Sequence, residues 1–211
     1  MNLIYIHGLD SDANSTKGML LEKYCQHHHP DINVLRPDLN KSPQDVFDQL
    51  ISLVEEWGSD SKVVFVGSSL GGYFSTLVSN HTGCAALLLN PSTQPHVTLQ
   101  RFANELFLDS DSDEDQAPEN QILHTTAGGW DITNADLQWF ADHQISQVNY
   151  PKKVAVLLKE GDELLNAELS KAFYQGQGVS VTVQAGGDHR FSDFGEQLPM
   201  VIDMLQNLVQ A

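Results

Sequence analysis

Six short, largely apolar runs recur along the chain. They occupy residues 3–6, 32–35, 63–66, 85–89, 154–158 and 179–183. Unalternated apolar runs of this length are typical of strands that are buried on both faces of a parallel sheet. The pattern therefore predicts six strands, and it predicts burial most clearly for those at 3–6 and 63–66.

Segments with helical spacing separate these strands. The clearest is 44–57, in which Val46, Leu50, Leu53 and Val54 form an apolar stripe behind Pro43. Other helices are predicted at 15–28, 70–80, 166–176 and 195–209. Strands that alternate with helices form βαβ units, so the sequence predicts an α/β fold with a mainly parallel sheet and helices on both faces.

One long segment interrupts this alternation. No clear strand is predicted within residues 92–150. The segment contains an acidic run at 109–115, which is typical of a mobile loop, and a predicted helix near 135–145. An excursion of this size in an α/β domain is usually functional. We therefore expect a single domain over 1–211, in which 92–150 is a lid or cap insertion.

Composition excludes some classes of partner. The 211 residues carry a formal net charge of −17, which disfavours nucleic acid and anionic membrane surfaces. The sequence lacks a long apolar run and a basic, signal-like N-terminus, so we expect a cytoplasmic protein without a membrane span.

The strongest chemical signal is Gly67-Ser68-Ser69-Leu70-Gly71, a G-x-S-x-G pattern between a buried strand and a helix. In that context the serine sits on a sharp strand-to-helix turn, and the glycines avoid collisions with neighbouring strands. The helix N-terminus stabilises negative charge that develops during attack. Ser69 is therefore the predicted nucleophile.

Two partners follow in the chain order that this pattern requires, acid before histidine. Asp162 comes directly after the fifth strand, and His189 follows the sixth and is the only histidine beyond Asp162. Both reach the carboxyl edge of the sheet, where active sites of open sheets form. Glu163 is expected to point elsewhere. The alternative acid position, after the fourth strand, reads Asn90-Pro91-Ser92.

An oxyanion hole needs two backbone N–H groups. The residue after the nucleophile, Leu70, supplies one, and Leu9 in the loop after the first strand is the candidate for the other. His7 is expected to shape that loop by hydrogen bonding. Trp130 and Trp139 are open between two roles, lining an acyl pocket and packing in the core.

Four motifs resemble the YqiA/YcfP-type small bacterial esterases of the α/β-hydrolase superfamily: His7-Gly8-Leu9-Asp10-Ser11, 67–73, 161–165 and 186–191. The resemblance implies an esterase or thioesterase that acts on small acyl esters, including acyl-CoA, and that uses neither cofactor nor metal. The chain departs from that family at Leu9, where Phe is common, and at Asn166, where Asp is frequent.

The leading hypothesis is thus a serine hydrolase that works through an acyl-enzyme. A lyase or acyltransferase using the same triad is an alternative, because the fold and the triad do not fix the reaction. A non-catalytic binding protein of the same fold is a third hypothesis, and the complete set of Ser69, Asp162 and His189 argues against it.

Overall fold

A six-stranded parallel sheet forms the centre of the protein, which a computed structural model describes over residues 1–57, 62–108 and 118–210. The strands are β1 (Asn2–Ile6), β2 (Asn33–Leu35), β3 (Val63–Ser68), β4 (Ala85–Leu89), β5 (Ile122–Thr125), β6 (Asp131–Thr133), β7 (Val154–Lys159) and β8 (Ser180–Gln184). The order in the central sheet is β2-β1-β3-β4-β7-β8, and β5 and β6 form a separate two-stranded sheet. The six predicted strands are confirmed.

Helices cover both faces of this sheet, as predicted. On one side α1 (Thr16–His28) and α8 (Phe194–Gln210) pack against alternate strand residues such as Leu3 and Tyr5. On the other side α2 (Pro43–Trp57), α3 (Leu70–Thr82) and α7 (Ala167–Gly176) pack against Ile4, Ile6 and their neighbours. Each fully buried apolar side chain contributes about 1.5–3 kcal/mol, which explains why the strands are apolar at consecutive positions.

The strand order reverses beside β1. From β1 the chain goes outward to β2, and it then returns to place β3 on the other side of β1. Loops that leave β1 and β3 therefore part in opposite directions and leave a crevice at the carboxyl ends of these strands. Ligands of open α/β sheets bind at such a point.

The segment 92–150 is more regular than its sequence suggests. It contains α4 (Pro95–Thr98), α5 (Gln100–Leu108), the antiparallel pair β5–β6, and α6 (Asn134–Asp142), which is the helix expected near 135–145. The expectation of no strand was wrong, because strands of 4 and 3 residues are too short to give a readable pattern. The acidic run at 109–115 lies outside the described residues.

Helix length and polarity bear on membrane association. Within the ranges that the structure describes, no helix is both long enough and apolar enough to span a bilayer.

Candidate active site

Ser69 occupies a strained turn between β3 and α3. Its backbone has φ 55° and ψ −118°, a conformation that costs a non-glycine residue about 1–3 kcal/mol. Four backbone hydrogen bonds hold it there. The Ser69 N–H donates to Leu89 O at 3.0 Å, and the Ser69 carbonyl accepts from the N–H groups of Gly72 at 2.8 Å, Ser92 at 3.0 Å and Tyr73 at 3.3 Å. The turn lifts the Ser69 hydroxyl out of the sheet edge.

The two glycines of the motif are needed for space, as the sequence predicted. A Cβ at Gly71 would collide with the carbonyl oxygen of Ile6 and would lie 2.6 Å from that of His7. A Cβ at Gly67 would lie 2.6 Å from the carbonyl carbon of Gly71. Helix α3 can therefore approach β1 and β3 closely enough to present Ser69.

The structure brings the three predicted side chains together. The Nε2 atom of His189 lies 2.9 Å from the Oγ atom of Ser69. On the other side of the imidazole ring, Nδ1 lies 2.8 Å from Oδ2 and 2.9 Å from Oδ1 of Asp162. The side chains of His189 and Asp162 are only 11% and 2% exposed, so water competes little for these bonds.

Hydrogen bonds to Asp162 fix the tautomer of the histidine. The Oδ1 atom of Asp162 also accepts from the backbone N–H groups of Leu164 at 2.9 Å and Leu165 at 2.8 Å. An ionised carboxylate only accepts, so the Nδ1 atom of His189 carries the proton. Its Nε2 atom is then a free acceptor that faces the Ser69 hydroxyl.

Glu163 does not point away from the site, contrary to expectation. Its Oε2 atom accepts a hydrogen bond of 3.0 Å from the backbone N–H of His189. Consecutive carboxylates thus bind the same histidine, Asp162 through its ring and Glu163 through its main chain. The signal available in the sequence was the Asp-Glu pair itself, but only the turn after β7 decides where the second side chain goes.

Asn90 joins the loops that carry the acid and the base. Its side-chain oxygen accepts from Lys159 N at 2.8 Å, and its amide nitrogen donates to the carbonyl oxygens of Asp188 at 3.2 Å and His189 at 3.4 Å. An amide can do both at once because it carries an acceptor and two donors. The sequence marked this position only as a missing acid.

Lys159 contacts the segment that follows His189 in the chain. It is 3% exposed, and its Nζ atom lies 2.5 Å from Oδ2 of Asp193 and 5.0 Å from the centre of the Phe191 ring. Partial burial would raise the pKa of Asp193, but hydrogen bonds from Lys159 and Gln197 and the charge of Lys159 outweigh this and lower it. The carboxyl group of Asp193 therefore stays ionised at neutral pH.

The predicted oxyanion donors both lie at the cleft. Leu9 and Leu70 line it beside Ser69, and among the described residues neither backbone N–H donates to another protein group. His7 shapes the Leu9 loop as expected: its Nδ1 atom lies 2.9 Å from Gly8 O, and its Nε2 atom accepts from Leu39 N at 3.0 Å.

The cleft above Ser69 has a volume of about 600 Å³, within the range of about 300–1,000 Å³ that holds small ligands. Thr98, Leu99 and Arg101 from the 92–150 segment form part of its wall. The two candidate tryptophans pack elsewhere: Trp139 lies against Phe74 and Phe140, and Trp130 donates to Asp136 at 3.2 Å.

Parallel strands with the order serine, acid, histidine at their carboxyl edge define the α/β-hydrolase fold. The chain belongs to the Uncharacterised protein family (UPF0227), whose profile matches residues 2–206. This is the YqiA/YcfP-type family that the motifs resemble, so that expectation is confirmed.

Solved structures show the same fold over nearly the whole chain. Est1E from Butyrivibrio proteoclasticus is 14% identical, with a TM-score of 0.73 over 100% of this chain and 88% of that chain. Alpha/beta hydrolase domain-containing protein 10 from mouse is 18% identical, with a TM-score of 0.68 over 98% and 90% of the two chains. The esterase domain of a Rhodothermus marinus protein is 15% identical, with a TM-score of 0.64 over 98% and 86%.

Proposed function

We propose that the protein is a cytoplasmic serine hydrolase that cleaves carboxylic esters or thioesters of small acyl groups, including acyl-CoA. The observation that carries the proposal is the unbroken chain of contacts from Ser69 Oγ through His189 to Asp162, with distances of 2.9 and 2.8 Å. Burial of the acid and a free Nε2 lone pair are the conditions for general-base catalysis by this histidine.

The proposed reaction has two halves. His189 Nε2 takes the proton from Ser69 as the hydroxyl oxygen bonds to the acyl carbon, and Asp162 stabilises the resulting imidazolium. The carbonyl oxygen becomes negative and accepts from the N–H groups of Leu9 and Leu70. Collapse breaks the bond to the alcohol or thiol, which leaves with the proton from His189. Water, activated by the same base, then releases the acid and restores Ser69.

We also propose that the chain is one domain in which 92–150 caps the cleft. Support comes from Ala127, whose N–H donates to Asp10 Oδ1 at 3.1 Å, and from Thr126, whose hydroxyl donates to Asn40 at 3.2 Å. These contacts join the turn between β5 and β6 to Asp10, which lines the cleft, and closure of such a segment over a bound ligand is a common way to exclude water.

Covalent labelling tests the catalytic proposal. A fluorophosphonate should modify the wild type at Ser69, as located by peptide mass, and should modify Ser68→Ala equally but neither Ser69→Ala nor His189→Ala. Turnover of 4-nitrophenyl esters should fall about a thousandfold or more in Ser69→Ala. Near-full activity in that variant would refute the assignment, and the absence of any labelling would favour a binding protein.

Product analysis separates hydrolysis from the other reactions of this triad. Free acid should appear in step with free thiol or alcohol, whereas an acyltransferase would deliver the acyl group to an added acceptor. In the labelled protein, backbone amides of 122–133 should exchange hydrogen more slowly, as expected of a cap that closes on the adduct. Unchanged exchange there would contradict the cap.

A further inference from the structure

The charge of the cleft is opposite to that of the protein. The chain carries 28 acidic and 11 basic residues. Among the described residues that line the cleft, however, the basic side chains are three, Lys17, Arg101 and Arg190, and the only carboxylate is that of Asp10. Asp10 is already engaged, since it accepts from Ala127 N at 3.1 Å and lies 3.5 Å from His124 Nε2.

Lys17 contacts the residue that directly follows the catalytic histidine. The Nζ atom of Lys17 donates to the Arg190 carbonyl oxygen at 2.7 Å, and Arg190 directly follows His189 in the chain. One of the three ammonium donors is used in this bond, which leaves two for a ligand. Neither Lys17 nor Arg190 forms an ion pair with a carboxylate of the described residues.

The position of Lys17 does not serve the stability of its helix. It lies in the first turn of α1, which contains no acidic residue, and a cation there opposes the helix dipole. Burial, the largest cause, lowers the pKa of Lys17 from 10.5 to about 8, while the charge of Asp188 opposes the shift. A charge kept in an unfavourable place beside a reactive centre indicates a ligand of opposite sign.

An unpaired hydroxyl accompanies these cations. The Oγ atom of Ser92 is buried without a partner among the described residues, and Ser92 lines the same cleft. Ser92 is 4% exposed and its backbone N–H is bonded to Ser69 O at 3.0 Å. A buried hydroxyl without a partner is costly unless a ligand or water completes it.

We propose that the substrate carries an anionic group, a carboxylate or a phosphate, which Lys17 and Arg190 bind at the edge of the Ser69 cleft. The inference rests on the proposed hydrolase function, and it adds the chemical class of the substrate. Arg101 faces the same cleft from α5 and adds to its positive potential. The acidic surface of the protein repels an anionic substrate at long range, and these basic side chains offset that repulsion at the cleft.

Matched substrate pairs test this inference. One pair is 4-nitrophenyl hexanoate and 4-nitrophenyl hydrogen adipate, which places the charge on the acyl side. The other is S-hexanoyl-pantetheine and its 4′-phosphate, which places it on the leaving-group side. The wild type should prefer the charged member of at least one pair by about 10- to 100-fold in kcat/KM, mainly through KM. The pair that shows the preference identifies the side on which Lys17 acts.

Variants assign the preference to residues. Lys17→Gln and Arg190→Gln should each reduce the charged-to-neutral ratio by about tenfold, whereas Lys23→Gln, on the same helix but outside the cleft, should keep it. The side chain of Arg190 is exposed, and we therefore expect Arg190→Gln to fold even if Lys17→Gln does not. A wild type without preference in either pair, or an unchanged ratio in both cleft variants, would overturn the inference.

A binding measurement separates this inference from the proposed function. Calorimetry on Ser69→Ala, in which no turnover is expected, should show that the charged member of the preferred pair binds more tightly than its neutral partner. The pairs are 4-nitrophenyl hydrogen adipate with 4-nitrophenyl hexanoate, and S-hexanoyl-pantetheine 4′-phosphate with S-hexanoyl-pantetheine. Binding without any hydrolysis by the wild type would leave the anion site standing and reject the hydrolase. Hydrolysis of neutral esters without a preference for the charged substrates would support the hydrolase and reject the anion site.

Discussion

Replacing Asp162 with asparagine exchanges one carboxylate oxygen for an amide nitrogen, and the hydrogen bonds around Asp162 determine the orientation of the new amide. The Oδ1 position receives two backbone N–H groups, from Leu164 at 2.9 Å and Leu165 at 2.8 Å. An amide nitrogen placed there would face these two N–H donors and leave both without an acceptor, at a cost of about 1–3 kcal/mol for a donor that water cannot reach. The amide oxygen therefore takes the Oδ1 position.

The amide nitrogen of the variant then faces His189. It donates to Nδ1, which must become an acceptor, and the proton moves to Nε2. The ring nitrogen that lies 2.9 Å from Ser69 Oγ would be protonated and could no longer act as a base. We expect kcat to fall by about 10³–10⁴, equivalent to about 4–5.5 kcal/mol of transition-state stabilisation, with little change in KM.

The assay is initial-rate hydrolysis of 4-nitrophenyl butyrate, with circular dichroism to show that the variant is folded. Asp203→Asn, an exposed carboxylate on α8, is the matched control and should retain wild-type kinetics. If folded Asp162→Asn kept kcat within tenfold of the wild type, the tautomer reasoning would be refuted, and with it the role given to this acid.

Two further predictions concern residues around the triad. Glu163→Ala removes the acceptor of the His189 backbone N–H, so kcat should fall about 3- to 30-fold while KM stays steady. Glu163→Gln keeps an acceptor oxygen and should restore kcat. An equal loss of kcat in both variants would mean that the charge of Glu163, and not its hydrogen bond, supports catalysis. Lys17→Met removes a half-buried charge whose pKa is lowered to about 8, so unfolding by urea at pH 7 should require about 1–3 kcal/mol more. Lys17 is charged in both the folded and the unfolded protein below pH 8, and it is neutral in both above about pH 10.5. The gain in the free energy of unfolding should therefore shrink as the pH rises between these values. A gain that is constant with pH would mean that better packing of the methionine, and not the lost charge, causes it.

The sequence by itself determined the framework of the protein. Consecutive apolar positions are typical of strands that are covered on both faces, so the inner strands β1, β3, β4 and β7 could be predicted from the pattern alone. The edge strands β2 and β8 are partly exposed, and their shorter apolar runs still marked their positions. The glycines around Ser69 and the order of Ser69, Asp162 and His189 followed from the steric and chemical demands of the turn. These inferences depend on local spacing, which a sequence contains directly.

Tertiary structure alone decided how the loops meet. Glu163 binds the backbone of His189, and Asn90 bridges two loops that are about seventy to a hundred residues away in sequence. The short strands β5 and β6 likewise owe their existence to each other rather than to any pattern of their own. Such contacts arise because the carboxyl ends of parallel strands converge, and the side chains that meet there are separated along the chain by whole helices. The basic cleft in an acidic protein is of the same kind, since Lys17 and Arg190 lie 173 positions apart and become neighbours only through the fold.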